Sequence, residues 1–225
     1  TGYFEGTAAF GSTSLVTSGS RDIFIAKLDT NGSWQWAVKA GGTGNDAGRG
    51  IAIDSSGNVY ATGYFNSAAT FGSIALSGTY NQVFISKLSN SGSWQWAVKG
   101  GGGVGNAIAV DSSGNAYTTG YITGTATFGS TSLTSSGSYD IFIAKVDNSG
   151  SWQWAVKAGG VSSDHGYGIA VDSSGNAYVT GSFLGTAAFG STSLTSSGGA
   201  DIFIAKLSSS GSWQWAVKAG GSSDD

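Results

Sequence analysis

The chain has 225 residues, a formal net charge of −3 and 10% charged residues, so it has no basic surface of the kind that binds nucleic acid, and we expect no nucleic-acid partner. It has no cysteine, which excludes disulfides and thiolate metal sites, and no apolar run long enough to span a membrane, so we expect no membrane insertion. Glycine is frequent, with 39 residues, but hydrophobic residues reach 40%, which predicts packed β structure with many turns.

The sequence repeats itself four times. The heptapeptide Ser-Trp-Gln-Trp-Ala-Val-Lys begins at Ser33, Ser93, Ser151 and Ser212, at intervals of 60, 58 and 61 residues. Three further units recur around it in a fixed order: Thr-Gly-Tyr-Phe, Ile-Phe-Ile-Ala-Lys and Asp-Ser-Ser-Gly-Asn, with small variations. This self-similarity predicts a tandem array of four like units, each of which needs its neighbours to bury a core.

The last repeat begins with a predicted hairpin. Residues 168–172 form a short apolar strand, and 177–183 form a second strand that is rich in β-formers. Between them, Asp172 opens a turn through its side-chain hydrogen bonds, and Gly175 takes the positive φ that the turn needs.

The second half of the repeat contains two more predicted strands. Residues 185–198 form a small inserted hairpin or ordered loop, anchored by Phe189 and Leu194. Residues 201–207 give the third strand and 212–218 the fourth, and no segment has a helical period. Four antiparallel strands with glycine-rich turns at a fixed period are typical of a propeller blade. A parallel β-solenoid is the alternative.

We therefore predict an all-β fold, a β-propeller with four-stranded antiparallel blades. An incomplete first blade covers about 1–42, and whole blades cover 43–103, 104–161 and 162–225. Because an incomplete blade exposes strand edges, we expect the array to be part of a longer protein or to be completed by another chain. Four blades, two copies of the chain or further repeats could each close a ring.

The repeat resembles a known family. The segments 168–181, 201–206 and 211–221 together resemble the SBBP repeat, the bacterial β-propeller repeat, and the resemblance covers essentially the whole chain. It implies an extracellular or cell-surface protein of bacterial type, and the low charge and the Gly, Ser, Thr and Asn content agree with this localisation.

A second segment, 26–36, is similar to the tryptophan-docking motif of quinoprotein-type propellers, in which a tryptophan ties one blade to the next. No cofactor-binding residue of that family has a counterpart here, so we expect no cofactor. The likeness implies a docking role for four residues: Trp36, Trp96, Trp154 and Trp215.

A second tryptophan precedes each docking tryptophan by two residues. Because i and i+2 share a face of a strand, the two rings of a pair should form an aromatic ledge. This ledge either packs between blades or stacks on a sugar. The candidate ligand-stacking residues are Trp34, Trp94, Trp152 and Trp213.

The Asp-Ser-Ser-Gly-Asn turns have one carboxylate each, whereas calcium needs six to eight oxygen ligands, so we expect turn chemistry and no metal. The connection from the fourth strand to the next repeat carries Asp46 or Asp164 in two copies but is shorter in the third, which predicts a tolerant surface loop. The turn-forming residues are Asp54, Gly57, Asp111, Gly114, Asp172 and Gly175.

No catalytic constellation is apparent. His165 is the only histidine, and we expect it to be an exposed loop residue without an orienting partner. The patterns predict that the chain is no enzyme but an extracellular scaffold, structural or adhesive, which head-to-tail contacts could extend into a surface fibre. Its expected partners are other proteins or its own copies. The alternative is a lectin with one shallow tryptophan-lined site per blade.

Overall fold

The computed structural model describes residues 1–225 as twenty β-strands without a helix. In chain order, the strands are Gly2–Phe4 (β1), Thr7–Phe10 (β2), Thr13–Val16 (β3), Asp22–Leu28 (β4), Trp34–Gly41 (β5), Ala47–Ile53 (β6), Val59–Phe71 (β7), Ile74–Leu88 (β8), Trp94–Val110 (β9), Ala116–Ile122 (β10), Thr125–Phe128 (β11), Thr131–Thr134 (β12), Asp140–Val146 (β13), Trp152–Ala158 (β14), His165–Val171 (β15), Ala177–Phe183 (β16), Thr186–Phe189 (β17), Thr192–Thr195 (β18), Asp201–Leu207 (β19) and Trp213–Ala219 (β20). The chain has no helix of the length and apolarity that crossing a membrane requires.

The last repeat shows the unit in full. Its sheet has the order β15-β16-β19-β20, and every neighbouring pair is antiparallel. The Asp-Ser-Ser-Gly-Asn turn closes the first hairpin, so that Val171 pairs with Ala177. The insertion between β16 and β19 is a separate two-stranded hairpin, β17–β18, in which Phe189 pairs with Thr192. The predicted strands at 177–183 and 201–207 have the same bounds in the structure.

The other repeats follow this plan with local changes. The second repeat pairs β6, β7, β8 and the first half of β9, and the third pairs the second half of β9 with β10, β13 and β14. Residues 94–110 form one continuous strand because the connection between these two repeats is short. The first repeat has three main strands, in the order β1-β4-β5.

The four repeats fan around a common axis. The equivalent residues Arg49, Asn106 and Tyr167, from the first strands of three successive repeats, line one cavity of about 580 Å³ together with Tyr3 of the first repeat. Arg49 Nη1 donates to Asn106 Oδ1 over 3.2 Å across this cavity. In a β-solenoid, whose repeats stack in a line, the first and fourth repeats would be too far apart to line the same cavity. The sheets therefore form an arc, and they do not close into a ring.

The hydrophobic cores lie between repeats as well as within them. One cluster combines Ile143 of the third repeat with Phe203 and Leu207 of the fourth, and all three are fully buried. A second cluster combines Ile25 of the first repeat with Phe84 of the second. Because each sheet hides an apolar face against its neighbour, near-continuous apolar strands are stable here.

Candidate functional site

The repeat junctions are built around one tryptophan each. The indole of Trp36 lies on the β-turn of the next repeat, where a β-carbon added at Gly92 would come within 2.8 Å of Cδ2 of the ring. Its Nε1 donates to the Asn90 carbonyl over 3.0 Å. Trp96 and Trp154 make the same contacts with the following turns. The structure thus places three of the four expected docking residues between repeats, and the fourth, Trp215, lies in the last of the four repeats described.

The tryptophans that precede them do not form the expected ledge. A β-bulge in each fourth strand leaves Gln153, for example, unpaired, so that Trp152 opposes Val146 and Trp154 opposes Lys145. Since neighbouring residues of a strand point to opposite faces, the bulge turns the two rings apart. The prediction that the two rings of a pair share a face, which was based on the i, i+2 spacing, is therefore wrong.

The rings of this second set pack on the inserted hairpin of their own repeat. Each lies edge-to-face against a phenylalanine of that hairpin, with ring centroids 5.1 to 5.6 Å apart. The pairs are Trp34 with Phe10, Trp94 with Phe71, Trp152 with Phe128 and Trp213 with Phe189. These contacts fix the position of the inserted hairpin on the sheet.

The Asp-Ser-Ser-Gly-Asn carboxylates lie within their own turns. Asp172 Oδ1 accepts hydrogen bonds from the backbone of Ser174 and Asn176, both at 2.9 Å, and Oδ2 accepts one from the Asn176 side chain at 2.8 Å. The side-chain hydrogen bond from Asn176 lowers the pKa of Asp172. Asp54 and Asp111 bind their turns in the same way. No three or more His, Asp or Glu side chains of the chain are placed so that they could hold a metal ion together.

The sequence reasoning missed a buried ion pair in three of the repeats. Lys39 Nζ lies 2.8 Å from Asp22 Oδ2, and the Asp22 carboxylate has no exposed surface. The same pair recurs as Asp140 with Lys157 and as Asp201 with Lys218. The second repeat has Gln82 at the aspartate position. The pairs were difficult to see in sequence because the partners are 17 residues apart on neighbouring strands.

The acids of the variable connection are buried, which corrects the expectation of a tolerant surface loop. Asp46 has no exposed surface, and its carboxylate accepts backbone hydrogen bonds from Gly42 at 2.7 Å and Asn66 at 2.8 Å. Asp164 binds Gly160 and Leu184 in the same way. Burial raises the pKa of Asp46 to about 6, the two hydrogen bonds oppose the shift, and the neighbouring Asp22 adds to it.

This shift predicts a pH dependence of stability. A carboxyl whose pKa is higher in the folded chain holds its proton more tightly there, so the free energy of unfolding falls as the pH rises from the ordinary 3.8 to about 6. We expect Asp46 to account for about 1–2 kcal/mol of this fall. Urea unfolding between pH 4 and pH 7 should show a smaller fall in Asp46→Asn.

Asp164 contributes to the same pH window, because burial raises its pKa too. The double variant Asp46→Asn/Asp164→Asn should therefore flatten the profile further. Asp172→Asn is the matched control, since the lowered pKa of Asp172 acts only below its ordinary value. An unchanged fall in the double variant would contradict the assignment.

His165 is not the exposed loop residue that the sequence predicts. It begins β15 and is half-buried, with its ring 4.8 Å from Tyr121, 5.4 Å from Tyr139 and 5.8 Å from Tyr167, measured between centroids. Burial lowers the pKa of His165. The sequence predicted a loop here because the apolar run that marks this strand begins at residue 168, whereas the strand itself begins three residues earlier.

A polar cavity of about 610 Å³ opens between the second and third repeats. Here the connection 99–111 is three residues shorter than its counterparts 39–54 and 157–172, and Gly103 stands where the other connections have a buried aspartate. The cavity is lined mainly by tyrosine rings, side-chain amides and threonine hydroxyls. Among these are Tyr80, Tyr121, Tyr139, Asn66, Asn81 and Gln82.

Two comparisons bear on the identity of this fold. Residues 35–68 and 153–182 match the model of the beta-propeller repeat family SBBP. An uncharacterized WD repeat-containing protein of Acanthamoeba polyphaga mimivirus is 30% identical over 185 residues, which cover 70% of this chain and 13% of that protein. The chain thus spans a small part of that relative's length.

Antiparallel sheets that repeat along the chain and pack face to face around an axis define an all-β repeat protein of the propeller class. Two regions of the chain match the SBBP beta-propeller repeat, in agreement with the resemblance seen in the sequence.

Proposed function

We propose that the chain is a non-catalytic scaffold that binds other proteins through surfaces repeated along its array. The observation that carries this proposal is the exposed inserted hairpin, which every repeat presents at the same place on its sheet. Repetition of one binding surface raises avidity without any new contact.

The hairpin surface suits protein binding. In β11–β12, threonine and serine side chains alternate with buried anchors, so that Thr125, Thr127, Ser132 and Thr134 face outward. Cross-strand hydroxyl pairs order this face, at 3.0 Å between Thr125 and Thr134. Covering this uncharged face avoids the larger cost of burying charges, and its hydroxyl groups can form hydrogen bonds with a partner.

The proposed setting is the cell surface, where the scaffold acts as a structural or adhesive module. The carboxylates of the Asp-Ser-Ser-Gly-Asn turns are saturated within those turns, so they serve the fold. The low charge and the chain's composition, which is rich in small polar residues, support an extracellular role.

Site-specific photo-cross-linking on intact producing cells tests this proposal. The cross-linker is placed in turn at the exposed and equivalent positions Ser14, Ser132 and Ser193, with Val161 as an exposed control outside the hairpins. We expect one recurring protein adduct from the three hairpin positions and none from Val161. The absence of an adduct, or labelling only after lysis, would overturn the scaffold role or its location.

The second candidate function is glycan binding, and the 610 Å³ cavity favours it. Tyrosine rings can stack on the apolar faces of a sugar, while amides and hydroxyls bind its hydroxyl groups. Tyr80, which is 77% exposed, lies at this cavity with Asn81 and Gln82. The candidate sugar site is therefore this single cavity. It does not include the tryptophans that the sequence analysis considered for sugar stacking.

A glycan array separates the two locations. We expect Tyr80→Ala to weaken any sugar binding by at least about tenfold while the chain stays folded, because the ring is exposed. Trp34→Ala should leave sugar binding unchanged if the cavity is the site. Loss of binding only in Trp34→Ala and its three equivalents would place the sugar on the tryptophans. If the unchanged chain binds no sugar, the lectin function is contradicted and only the scaffold function stands.

A further inference from the structure

The cavity between the second and third repeats differs in charge from the equivalent places in the other repeats. In the first, third and fourth repeats, a lysine pairs with a buried aspartate on the neighbouring strand, as Lys39 Nζ does with Asp22 Oδ2 at 2.8 Å. The second repeat keeps the lysine as Lys99, but Gln82 replaces the aspartate. Both residues line the cavity. The lysine at this place therefore lacks the carboxylate that its equivalents have.

A second carboxylate is also missing from the cavity. Asp46 and Asp164, at the equivalent position of two other connections, are fully buried, whereas Gly103 stands here. The residues that line the cavity include no aspartate or glutamate, and Lys99 is their only charged residue. Its Nζ donates to the uncharged carbonyl of Ser77 and forms no salt bridge. The cavity thus holds a positive charge with which no carboxylate of the chain pairs.

The other repeats show which chemical group fits beside this lysine. Asp140 Oδ2 lies 2.6 Å from Lys157 Nζ and also accepts a hydrogen bond from the backbone of Ser136 at 3.0 Å. A carboxylate is therefore the group that this position of the repeat holds. Because the second repeat supplies none, a carboxylate can reach its lysine only as part of a bound molecule.

The walls of the cavity fit a sugar ring. Tyr121 and Tyr139 lie edge-to-face with their centroids 4.8 Å apart and present aromatic surface to the cavity. Asn66 Nδ2 donates to Asn81 Oδ1 over 3.0 Å, which leaves the Asn81 Nδ2 group free to donate to a ligand. Aromatic rings and amides around a single cation favour a sugar with one charge per ring. An acidic peptide, with its charges along an extended chain, would meet only one cation here.

We propose that this cavity binds a sugar that carries a carboxylate, such as the uronic acid unit of an acidic polysaccharide. The sugar carboxylate pairs with Lys99 Nζ in the place that aspartate occupies in the other repeats, and the sugar ring packs on the tyrosines. The proposal rests on glycan binding, the second candidate function, and adds the charge of the sugar. Since only the second repeat has lost its aspartate, the four repeats share one such site.

Isothermal titration calorimetry with trigalacturonate and its methyl ester tests the charge of the ligand. The two probes have the same rings, but the ester has no charged carboxylate. We expect the acid to bind at least about tenfold more tightly than the ester, as for a hydrogen bond between charged groups. Equal binding, or no binding of either probe, would overturn this proposal. Neutral sugars on the glycan array test glycan binding separately, so the two failures can be told apart.

Triglutamate tests whether the site recognises the sugar or only its charge. It presents carboxylates on a peptide, without a ring that can pack on the tyrosines. We expect it to bind at least about tenfold more weakly than trigalacturonate. Binding of triglutamate as tight as that of the sugar would show a site for acidic peptides and would overturn the sugar assignment.

Two substitutions locate the bound carboxylate. Lys99→Gln removes the cation from an exposed position, and Gln82→Asp gives the lysine a carboxylate from the chain itself. Each should weaken trigalacturonate binding by about tenfold or more. Gln82→Asp should stay folded, because three repeats carry aspartate at this position, and urea unfolding checks this.

Lys27→Gln is the matched control, since it removes a positive charge from outside the cavity. It should bind trigalacturonate like the unchanged chain. Undiminished binding in Lys99→Gln or in Gln82→Asp would overturn the proposed ion pair, and so would an equal loss in Lys27→Gln, which would indicate attraction by the overall charge of the chain.

Discussion

Replacing Trp96 by alanine should lower the free energy of unfolding by about 2–4 kcal/mol. The ring lies on the turn of the next repeat, and its centroid is 5.9 Å from that of Tyr60 in an edge-to-face contact. Its Nε1 donates to the Asn148 carbonyl over 2.9 Å. Alanine would leave a gap between two sheets and remove the only hydrogen bond of the indole. Urea unfolding of the dilute chain measures the effect.

The last repeat supplies the matched control. Trp215→Ala changes the same residue type at the same position of the repeat, but Trp215 is 39% exposed and packs on no turn of another repeat. We expect a loss below about 1 kcal/mol in the dilute chain. Equal losses for Trp96→Ala and Trp215→Ala would mean that packing within a repeat, and not the junction, determines the contribution of this tryptophan.

Local chemistry explains why much of the fold could be predicted. The strands at Ala177–Phe183 and Asp201–Leu207 follow from β-rich runs between turn residues, and both signals lie within a few positions of the strand. The turn at Asp172 is equally local, because its carboxylate binds backbone groups two and four residues later.

The predictions that were wrong concern features that the local sequence does not determine. The ledge expected from Trp152 and Trp154 was wrong because a bulge inserts one residue between the paired positions, and no composition marks a bulge. The burial of Asp46 depends on Asn66, which approaches from another strand. The cavity near Tyr80 results from a shortened connection at one junction, so a pattern shared by all repeats could not predict it.

The junction can also be tested from the side of the turn. Gly150→Ala should lower the free energy of unfolding by about 2–5 kcal/mol, as measured by urea unfolding of the dilute chain. Gly150 has a φ of +86°, which costs an alanine about 1–2 kcal/mol. In addition, the new methyl group would lie 2.9 Å from Cδ2 of Trp96, and displacing that packed ring costs about 1–3 kcal/mol.

Gly32→Ala separates these two causes, because Gly32 has a similar φ of +79° but nothing lies within 4 Å of its added β-carbon. It should cost only the backbone strain, about 1–2 kcal/mol. The difference between Gly150→Ala and Gly32→Ala then measures how firmly a tryptophan is held on the neighbouring turn. If the two variants lose the same stability, the turn tolerates the methyl group and the tryptophan contact contributes little to holding successive sheets together.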